Sequence, residues 1–163
     1  MYMRLLRTAV IGALLMGLIA CSSRDDDDAR SSNDSAAVDA GDVAKAIQAK
    51  IPEVTGVVVY DENSDPNELI GRPGQYTSAA RLADSRGDAQ SDGIDGGAVV
   101  EVFASESDAA NRSRYIQDTL SDLGPAFGTE WHFLAKASLL RISGGLGLTA
   151  KNEYEQAWQG GQP

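Results

Sequence analysis

Apolar and polar positions alternate along the chain with two spacings, one helical and one extended, from residue 42 onward. Three apolar residues recur on one helical face: Val43, Ile47 and Ile51. They predict a first helix that starts with an N-cap at Asp42, runs to Ile51 and is ended by Pro52. β-branched residues predict a strand over residues 55–60, and a weaker pattern predicts a second strand over residues 76–83.

Residues 98–104 form the clearest strand pattern. Its two faces carry different sets, with Ala98, Val100 and Val102 on one and Val99, Glu101 and Phe103 on the other. Ser105 then predicts the N-cap of a second helix, which Gly124 and Pro125 end. Four apolar residues share one face of that helix: Ala109, Ile116, Leu120 and Leu123.

A strand pair and a last helix complete the pattern. Residues 131–136 and 139–143 predict paired strands, and Thr149 predicts the N-cap of the final helix. Four residues form the apolar stripe of that helix: Ala150, Tyr154, Ala157 and Trp158. The order αβββαββα predicts an α+β domain with a mainly antiparallel sheet of about five strands and helices on one face. This order of elements is also compatible with a ferredoxin-like topology.

Two long connections separate the early strands. Residues 61–78 contain two turn signals, Asp65-Pro66 and Pro73-Gly74. Ordered loops of this length are often functional. Residues 84–97 are rich in Gly, Asp and Ser, which predicts a flexible surface loop.

The N-terminus carries the pattern of an export signal. Arg4 and Arg7 precede an apolar run that ends at Ala20, and this run is too short for a permanent membrane span. The segment Leu18-Ile19-Ala20-Cys21 resembles the lipobox of bacterial lipoproteins, in which the cysteine receives lipid, including palmitate, and becomes the first mature residue. The alternative is an ordinary signal peptide with a chance cysteine.

The lipobox implies three parts of the chain. Residues 1–20 are the signal peptide, residues 21–41 are the lipidated Cys21 and a disordered acidic linker, and residues 42–163 are a single α+β domain. Residues 25–28 are four consecutive aspartates, which repel one another and cannot bury apolar surface. The expected location is the cell membrane, lipid-anchored and facing outside the cytoplasm.

Composition excludes several classes of function. The leader contains two arginines and no acidic residue, so the mature chain has 12 basic and 24 acidic side chains and a net charge of −12. This charge argues against nucleic acid as a partner. Cys21 is the only cysteine and His132 the only histidine, which excludes a histidine-based zinc site with three or four protein ligands. We expect no cofactor.

Several segments resemble a family of Gram-positive bacterial lipoproteins. Residues 65–78, DPNELIGRPGQYTS, are similar to its DPNxLLGRPxxYTSK block, and the GGAVVEVF segment ending at Phe103 is similar to its GGx(I/V)EVF strand. The chain departs from the family at Ala79, where the family has Lys, and at Leu82, where an aromatic residue is expected. The resemblance implies an extracytoplasmic lipoprotein, and the family brings no established activity.

Candidate chemistry concentrates in the loop of residues 61–78. The candidate binding surface consists of five polar residues: Asp65, Asn67, Arg72, Gln75 and Tyr76. Arg72 offers a planar fork for carboxylate or phosphate, and the structural alternative is that it pairs with a carboxylate to hold the loop. A weak calcium hypothesis rests on the alternating oxygens of Asp61, Asn63 and Asp65, with Asx turns as its alternative.

These observations favour a membrane-anchored binding or accessory module of the cell envelope. Its partners are the membrane, through lipid on Cys21, and an unidentified envelope protein or small ligand. One alternative is a small envelope hydrolase that uses the 61–78 loop face. A Ser-His-Asp arrangement would have to include His132, and no Gly-x-Ser-x-Gly motif supports it. The other alternative is a structural envelope component without a discrete site. We assign no catalytic residue.

Overall fold

The computed structural model describes residues 38–160. The predicted signal peptide, Cys21 and the linker up to residue 37 lie outside this range. The helices and strands are α1 (Ala40–Gln48), β1 (Val54–Tyr60), β2 (Tyr76–Asp84), β3 (Gly97–Phe103), α2 (Glu106–Leu123), β4 (Glu130–Ala135), β5 (Ser138–Ser143) and α3 (Gly147–Gln159). Short 3-10 turns occupy Ile94–Gly96, Pro125–Phe127 and Gly144–Leu146. No helix of residues 38–160 is long and apolar enough to cross a membrane.

The five strands form one antiparallel sheet in the order β1-β2-β3-β5-β4. The predicted α+β class and the order αβββαββα are therefore confirmed. Strand β5 lies between β3 and β4 and is antiparallel to both. Strands β3 and β4 are therefore parallel to each other, and α2 connects them. This is one split β-α-β unit of the kind found twice in ferredoxin-like domains.

The helices cover both faces of the sheet. Helices α1 and α3 pack on the first face, against Leu82, Val100 and Ile142. Helix α2 packs on the second face, where Ala109 meets Phe103. The expectation that all helices share one face is wrong. Each residue of β3 and of β5 is buried, so both faces of the central strands needed a cover.

Helix boundaries follow the local capping groups. Helix α1 is capped by Asp39, whose Oδ1 accepts from the Gly41 N–H at 2.8 Å, so the predicted cap at Asp42 is wrong by three residues. Ser105 caps α2 as predicted, accepting from the Asp108 N–H at 3.2 Å. Helix α3 starts at Gly147 without a side-chain cap, so Thr149 is inside the helix.

A β-bulge at the start of β2 decides which face Tyr76 joins. Tyr76 is opposite Phe103 and Ser78 is opposite Val102, so Thr77 is an extra residue in β2. Regular alternation would place Tyr76 on the α1 face together with Ser78. The bulge instead turns Tyr76 onto the second face, where its ring meets Phe103 edge-on at 6.0 Å between centroids.

Candidate binding pocket

Two rows of side chains cross the second face of the sheet. The strand register places Arg81 beside Val99, Val99 beside Arg141, and Arg141 beside His132. The next row places Ala79 beside Glu101. Cross-strand neighbours lie within side-chain contact. The register therefore gathers most of the charged residues of the sheet on one face.

Glu101 is at the centre of a buried ion network. Its side chain is 0% exposed, and its two oxygens accept from Arg141 Nη1 at 2.8 Å and from Arg112 Nε of α2 at 3.4 Å. Arg141 also donates from Nε and Nη2 to the two oxygens of Glu130, each at 2.8 Å. Ion pairs with this geometry offset the free-energy cost of removing these charges from water.

The network stabilises the charged forms of Glu130 and Arg141. Burial alone would raise the pKa of Glu130, but hydrogen bonds from His132 and Arg141 lower that pKa to about 2. Burial likewise opposes the charge of Arg141, and the carboxylates of Glu130 and Glu101 more than offset it, so the pKa of Arg141 is raised. All three nitrogens of the Arg141 guanidinium are used inside the protein.

The loop of residues 61–75 is held to the sheet by Asp65. Its Oδ1 accepts from the Asn67 N–H at 3.0 Å, and its Oδ2 accepts from the N–H groups of Leu69 at 2.7 Å and Ile70 at 3.2 Å. The hydroxyl of Tyr76 also contacts both oxygens, at 2.8 and 2.7 Å. Burial would raise the pKa of Asp65, but these hydrogen bonds together lower it. Burial and Asp65 raise the pKa of Tyr76.

The five candidate binding residues divide into two groups. Asp65, Asn67 and Tyr76 come together, since the Asn67 amide also lies 3.2 Å from the Tyr76 hydroxyl. The side chain of Arg72 is 60% exposed, and among residues 38–160 its one ion pair is with the exposed Glu68, at 3.7 Å. Gln75 is half-buried, and its backbone N–H bonds to the carbonyl of Arg72. The structure therefore assigns the holding of the loop to Asp65 and not to Arg72.

The loop of residues 85–96 closes the other side of this face. Arg81 Nη1 donates to the Ser91 carbonyl at 2.9 Å, and the Tyr60 hydroxyl donates to the Asp92 carbonyl. A Cβ at Gly96 would lie 2.7 Å from Arg81 Nη1, so the glycine admits the guanidinium. These contacts tie the middle of the loop to β1 and β2, in contrast to the flexible loop expected from its composition.

A cavity of about 260 Å³ lies between the two loops, above the sheet. We call it the loop pocket. The sheet contributes Tyr60, Tyr76, Ala79, Val99, Glu101 and Arg141 to its walls. The 61–75 loop contributes Asp65, Pro66 and Asn67, and the 85–96 loop contributes Ser91, Gly93, Ile94 and Asp95.

A larger groove of about 680 Å³ runs along the outside of the 61–75 loop, from Glu62 to Arg72. Its lining comes from that loop alone, and most of those side chains are exposed. The loop pocket, in contrast, combines three chain segments and reaches the buried ion network. We therefore place the candidate site in the smaller cavity.

His132 forms a chain of contacts with a serine and a glutamate. Its Nδ1 lies 2.8 Å from Ser113 Oγ of α2, and its Nε2 lies 3.0 Å from Glu130 Oε2. These are the contacts of a nucleophile, a base and an orienting carboxylate. However, the His132 side chain is only 6% exposed, Glu130 is shared with Arg141, and neither Ser113 nor His132 lines the loop pocket.

Oxygens proposed as calcium ligands already accept hydrogen bonds in local turns. Asp61 Oδ1 accepts from the Asn63 N–H at 2.9 Å and from the Ser64 N–H at 2.8 Å, which is an Asx turn. The Ser64 hydroxyl and these backbone groups lower the pKa of Asp61. Asp65 faces Tyr76 instead. Within residues 38–160, no group of three or more His, Cys, Asp or Glu residues could hold a metal ion.

Comparison of the chain with models of protein families, with curated proteins and with solved structures finds no match. The function is therefore inferred from the sequence and from the geometry of residues 38–160.

Proposed function

We propose that this chain is a lipid-anchored extracytoplasmic protein of the bacterial cell envelope whose α+β domain binds a small ligand in the loop pocket. The lipobox at Leu18–Cys21 and the acidic residues behind it support the anchor and the location. The resemblance of residues 65–78 to a lipoprotein family supports the same anchor and location.

One observation carries the binding role. The loop pocket has a fully buried carboxylate, Glu101, and a buried guanidinium, Arg141, in its wall. A buried ion pair is weak evidence of a stabilising role, because apolar residues of the same volume are often at least as stable. Convergent polar groups in the wall of a cavity between loops are instead typical of ligand sites.

The anchor is tested by replacing the lipobox cysteine in the full-length protein. In cells fed a labelled fatty acid, we expect Cys21→Ala to lose the label and to leave the membrane fraction. Ser22→Ala is the matched control and should keep both. If Cys21→Ala stays labelled and membrane-bound like the parent, the anchor proposal fails.

The pocket is tested in detergent-solubilised full-length protein. Amide chemical shifts are followed while a library of small polar molecules is titrated. We expect saturable shifts at residues from both loops, such as Asn67 and Gly93, together with β3. Shifts confined to Glu62–Arg72 would place the site in the outer groove, and the loop-pocket proposal would be wrong.

The hydrolase alternative has one specific observation in its favour, the Ser113–His132–Glu130 chain. It belongs to α2 and β4 and not to the 61–78 loop face where that alternative placed the chemistry. We therefore keep the binding role as the leading proposal.

A further inference from the structure

We propose that a second copy of this chain pairs with the outer edge of β1, so that two sheets join into one across a two-fold axis. This surface is separate from the loop pocket, and the inference goes beyond the binding role. Strand β1 is at one end of the strand order, and its outer edge meets no strand of residues 38–160. The backbone N–H and C=O groups on that side can therefore pair with an added strand.

The two edge strands of the sheet differ in charge. Strand β4 carries Glu130 and His132, and the Glu130 carbonyl accepts a hydrogen bond from the Gln117 side chain of α2 at 3.1 Å. Charged side chains and covering elements are the usual protection of an edge strand against pairing. Strand β1, VTGVVVY, has seven residues, and none of them is charged or is proline. Of the two edges, β1 is therefore the one suited to accept another strand.

Both faces of β1 leave an apolar side chain exposed. Val58 is 42% exposed and Val59 is 50% exposed. Val58 is beside Arg81 on the second face of the sheet, and Val59 is beside Ala80 on the α1 face. One exposed valine is ordinary on a protein surface. Two successive valines on an edge strand can pack against an added strand on both faces of the extended sheet.

The pairing of β1 with β2 limits the register that a two-fold partner can use. That pairing is irregular before Gly56 and regular from Gly56 to Tyr60. An antiparallel partner that uses this whole regular run is centred on Val58. Every facing pair is then uncharged: Val58 with its own symmetry mate, Val57 with Val59, and Gly56 with Tyr60. A two-fold interface requires this kind of self-complementarity.

The charge of the chain favours a second copy over a charged peptide as the occupant. Each copy has a net charge of −10, so contact between two copies through acidic surfaces is repulsive. The run from Gly56 to Tyr60 brings no charged side chain into the contact. An acidic or basic peptide would find no opposite charge on this strand. The chain itself supplies an uncharged strand in the matching register.

A shared membrane would raise the local concentration of the partners, and this step rests on the proposed anchor. From Cys21 to Val38 the chain can span at most about 60 Å. Domains held within this reach of one surface meet more often than free domains do. The regular run from Gly56 to Tyr60 forms only a small interface, so we expect a reversible dimer and not an obligate one.

The test introduces single cysteines into the full-length protein, oxidises intact cells with copper–phenanthroline and resolves the products on non-reducing gels. In the proposed dimer the two copies of residue 58 face each other with Cα atoms about 4.5–5.5 Å apart, which a disulfide can bridge. We therefore expect Val58→Cys to form a disulfide-linked dimer. The parent chain, whose one cysteine is Cys21, gives the background.

Val59→Cys is the matched control. Val59 is adjacent to Val58 and at least as exposed, so the two cysteines are equally accessible to the oxidant. In the proposed register the two copies of residue 59 are offset along the strands, with Cα atoms about 8 Å apart, beyond the range of a disulfide. The dimer band should therefore be lost in Val59→Cys.

Val58→Lys tests the association without a cross-link. Two lysines that face each other at the axis repel, whereas Val58→Thr keeps an uncharged β-branched residue. Detergent-solubilised full-length proteins are sedimented at rising concentration. We expect the parent and Val58→Thr to form dimers and Val58→Lys to remain a monomer. Because Val58 is exposed, each variant should keep the melting temperature of the parent.

Three outcomes would overturn this inference. Equal cross-linking of Val58→Cys and Val59→Cys would mean that copies collide without a fixed register. A disulfide from Val58→Cys to a different protein, without a homodimer, would assign the edge to an unrelated strand. A parent that sediments as a monomer at every concentration would leave the edge to a segment of the same copy. Failure of the anchor test would not affect the inference, because the difference between Val58→Cys and Val59→Cys does not depend on lipid.

Discussion

The hydroxyl of Tyr76 lies 2.8 and 2.7 Å from the two carboxylate oxygens of Asp65, and both side chains are buried. This contact joins the 61–75 loop to the first residue of β2. Tyr76→Phe keeps the ring against Phe103 but removes one donor from a buried carboxylate. We expect the free energy of unfolding to fall by about 1–3 kcal/mol, measured by urea denaturation at neutral pH.

Arg72→Ala is the matched control in the same loop. The Arg72 side chain is exposed and lies 3.7 Å from an exposed glutamate, so its loss should change stability by less than about 0.5 kcal/mol. A loss as large as that of Tyr76→Phe would show that Arg72 holds the loop. In that case our assignment of this role to Asp65 would be wrong.

The buried network predicts a specific dependence on pH. The pKa of Glu130 is lowered in the folded protein to about 2 from its ordinary value of 4.5. A lowered folded pKa gives stability that is complete above pH 4.5 and is lost as the pH falls towards 2. This change corresponds to on the order of 3 kcal/mol.

Glu130→Gln removes the titrating group and tests this directly. The variant should be less stable than the parent at neutral pH, and the difference in unfolding free energy should shrink between pH 4.5 and 2. Glu68→Gln, which removes an exposed carboxylate, should show no such pH-dependent difference. A constant difference for Glu130→Gln across this pH range would contradict the assigned network.

Ser113 offers a direct test of the hydrolase alternative. Because His132 is almost fully buried, we expect a fluorophosphonate probe to leave Ser113 unmodified, as judged by mass spectrometry of the intact protein. Ser113→Ala should instead lower stability by about 1 kcal/mol, through loss of the hydrogen bond to His132. Labelling of Ser113 in the parent, absent in His132→Gln, would support the enzyme.

Calcium should leave the melting temperature unchanged. Asp61 Oδ1 and both carboxylate oxygens of Asp65 already accept hydrogen bonds, within their own turns and from Tyr76. A ligand that binds only the folded state raises stability, so millimolar calcium against EDTA is a sensitive comparison. An increase that Asp61→Asn abolishes would restore the calcium hypothesis.

Local patterns in the sequence predicted the elements of this fold well. The alternation in residues 98–104 and the apolar stripe of α3 both appear as expected, because each follows from a spacing of two or of 3.6 residues. The face chosen by α2 was not predictable in this way. The face that α2 covers follows from the burial of both faces of β3. That burial is a property of the folded sheet and not of a local spacing in the sequence.

The site was predicted only in part. Asp65, Asn67 and Tyr76 were chosen from the 61–78 loop, and the structure brings them together. The partnership of Glu101 with Arg141 was missed, since the two residues are 40 positions apart and meet only through the pairing of β3 with β5. One signal was present in the sequence: Glu101 is a charged residue inside the most apolar strand.

The extra residue at Thr77 has a consequence for how this segment tolerates length changes. Because Ser78 lies on the α1 face, deleting Thr77 would make Tyr76 its direct neighbour and leave Tyr76 on the second face, opposite Phe103. The contact between Tyr76 and Asp65 would then survive the loss of the bulge. If β2 instead paired regularly through Thr77, Tyr76 would turn towards α1 and the 61–75 loop would lose its attachment to the sheet. This segment is therefore more sensitive to a one-residue slip in the register of β2 than to the loss of Thr77 itself.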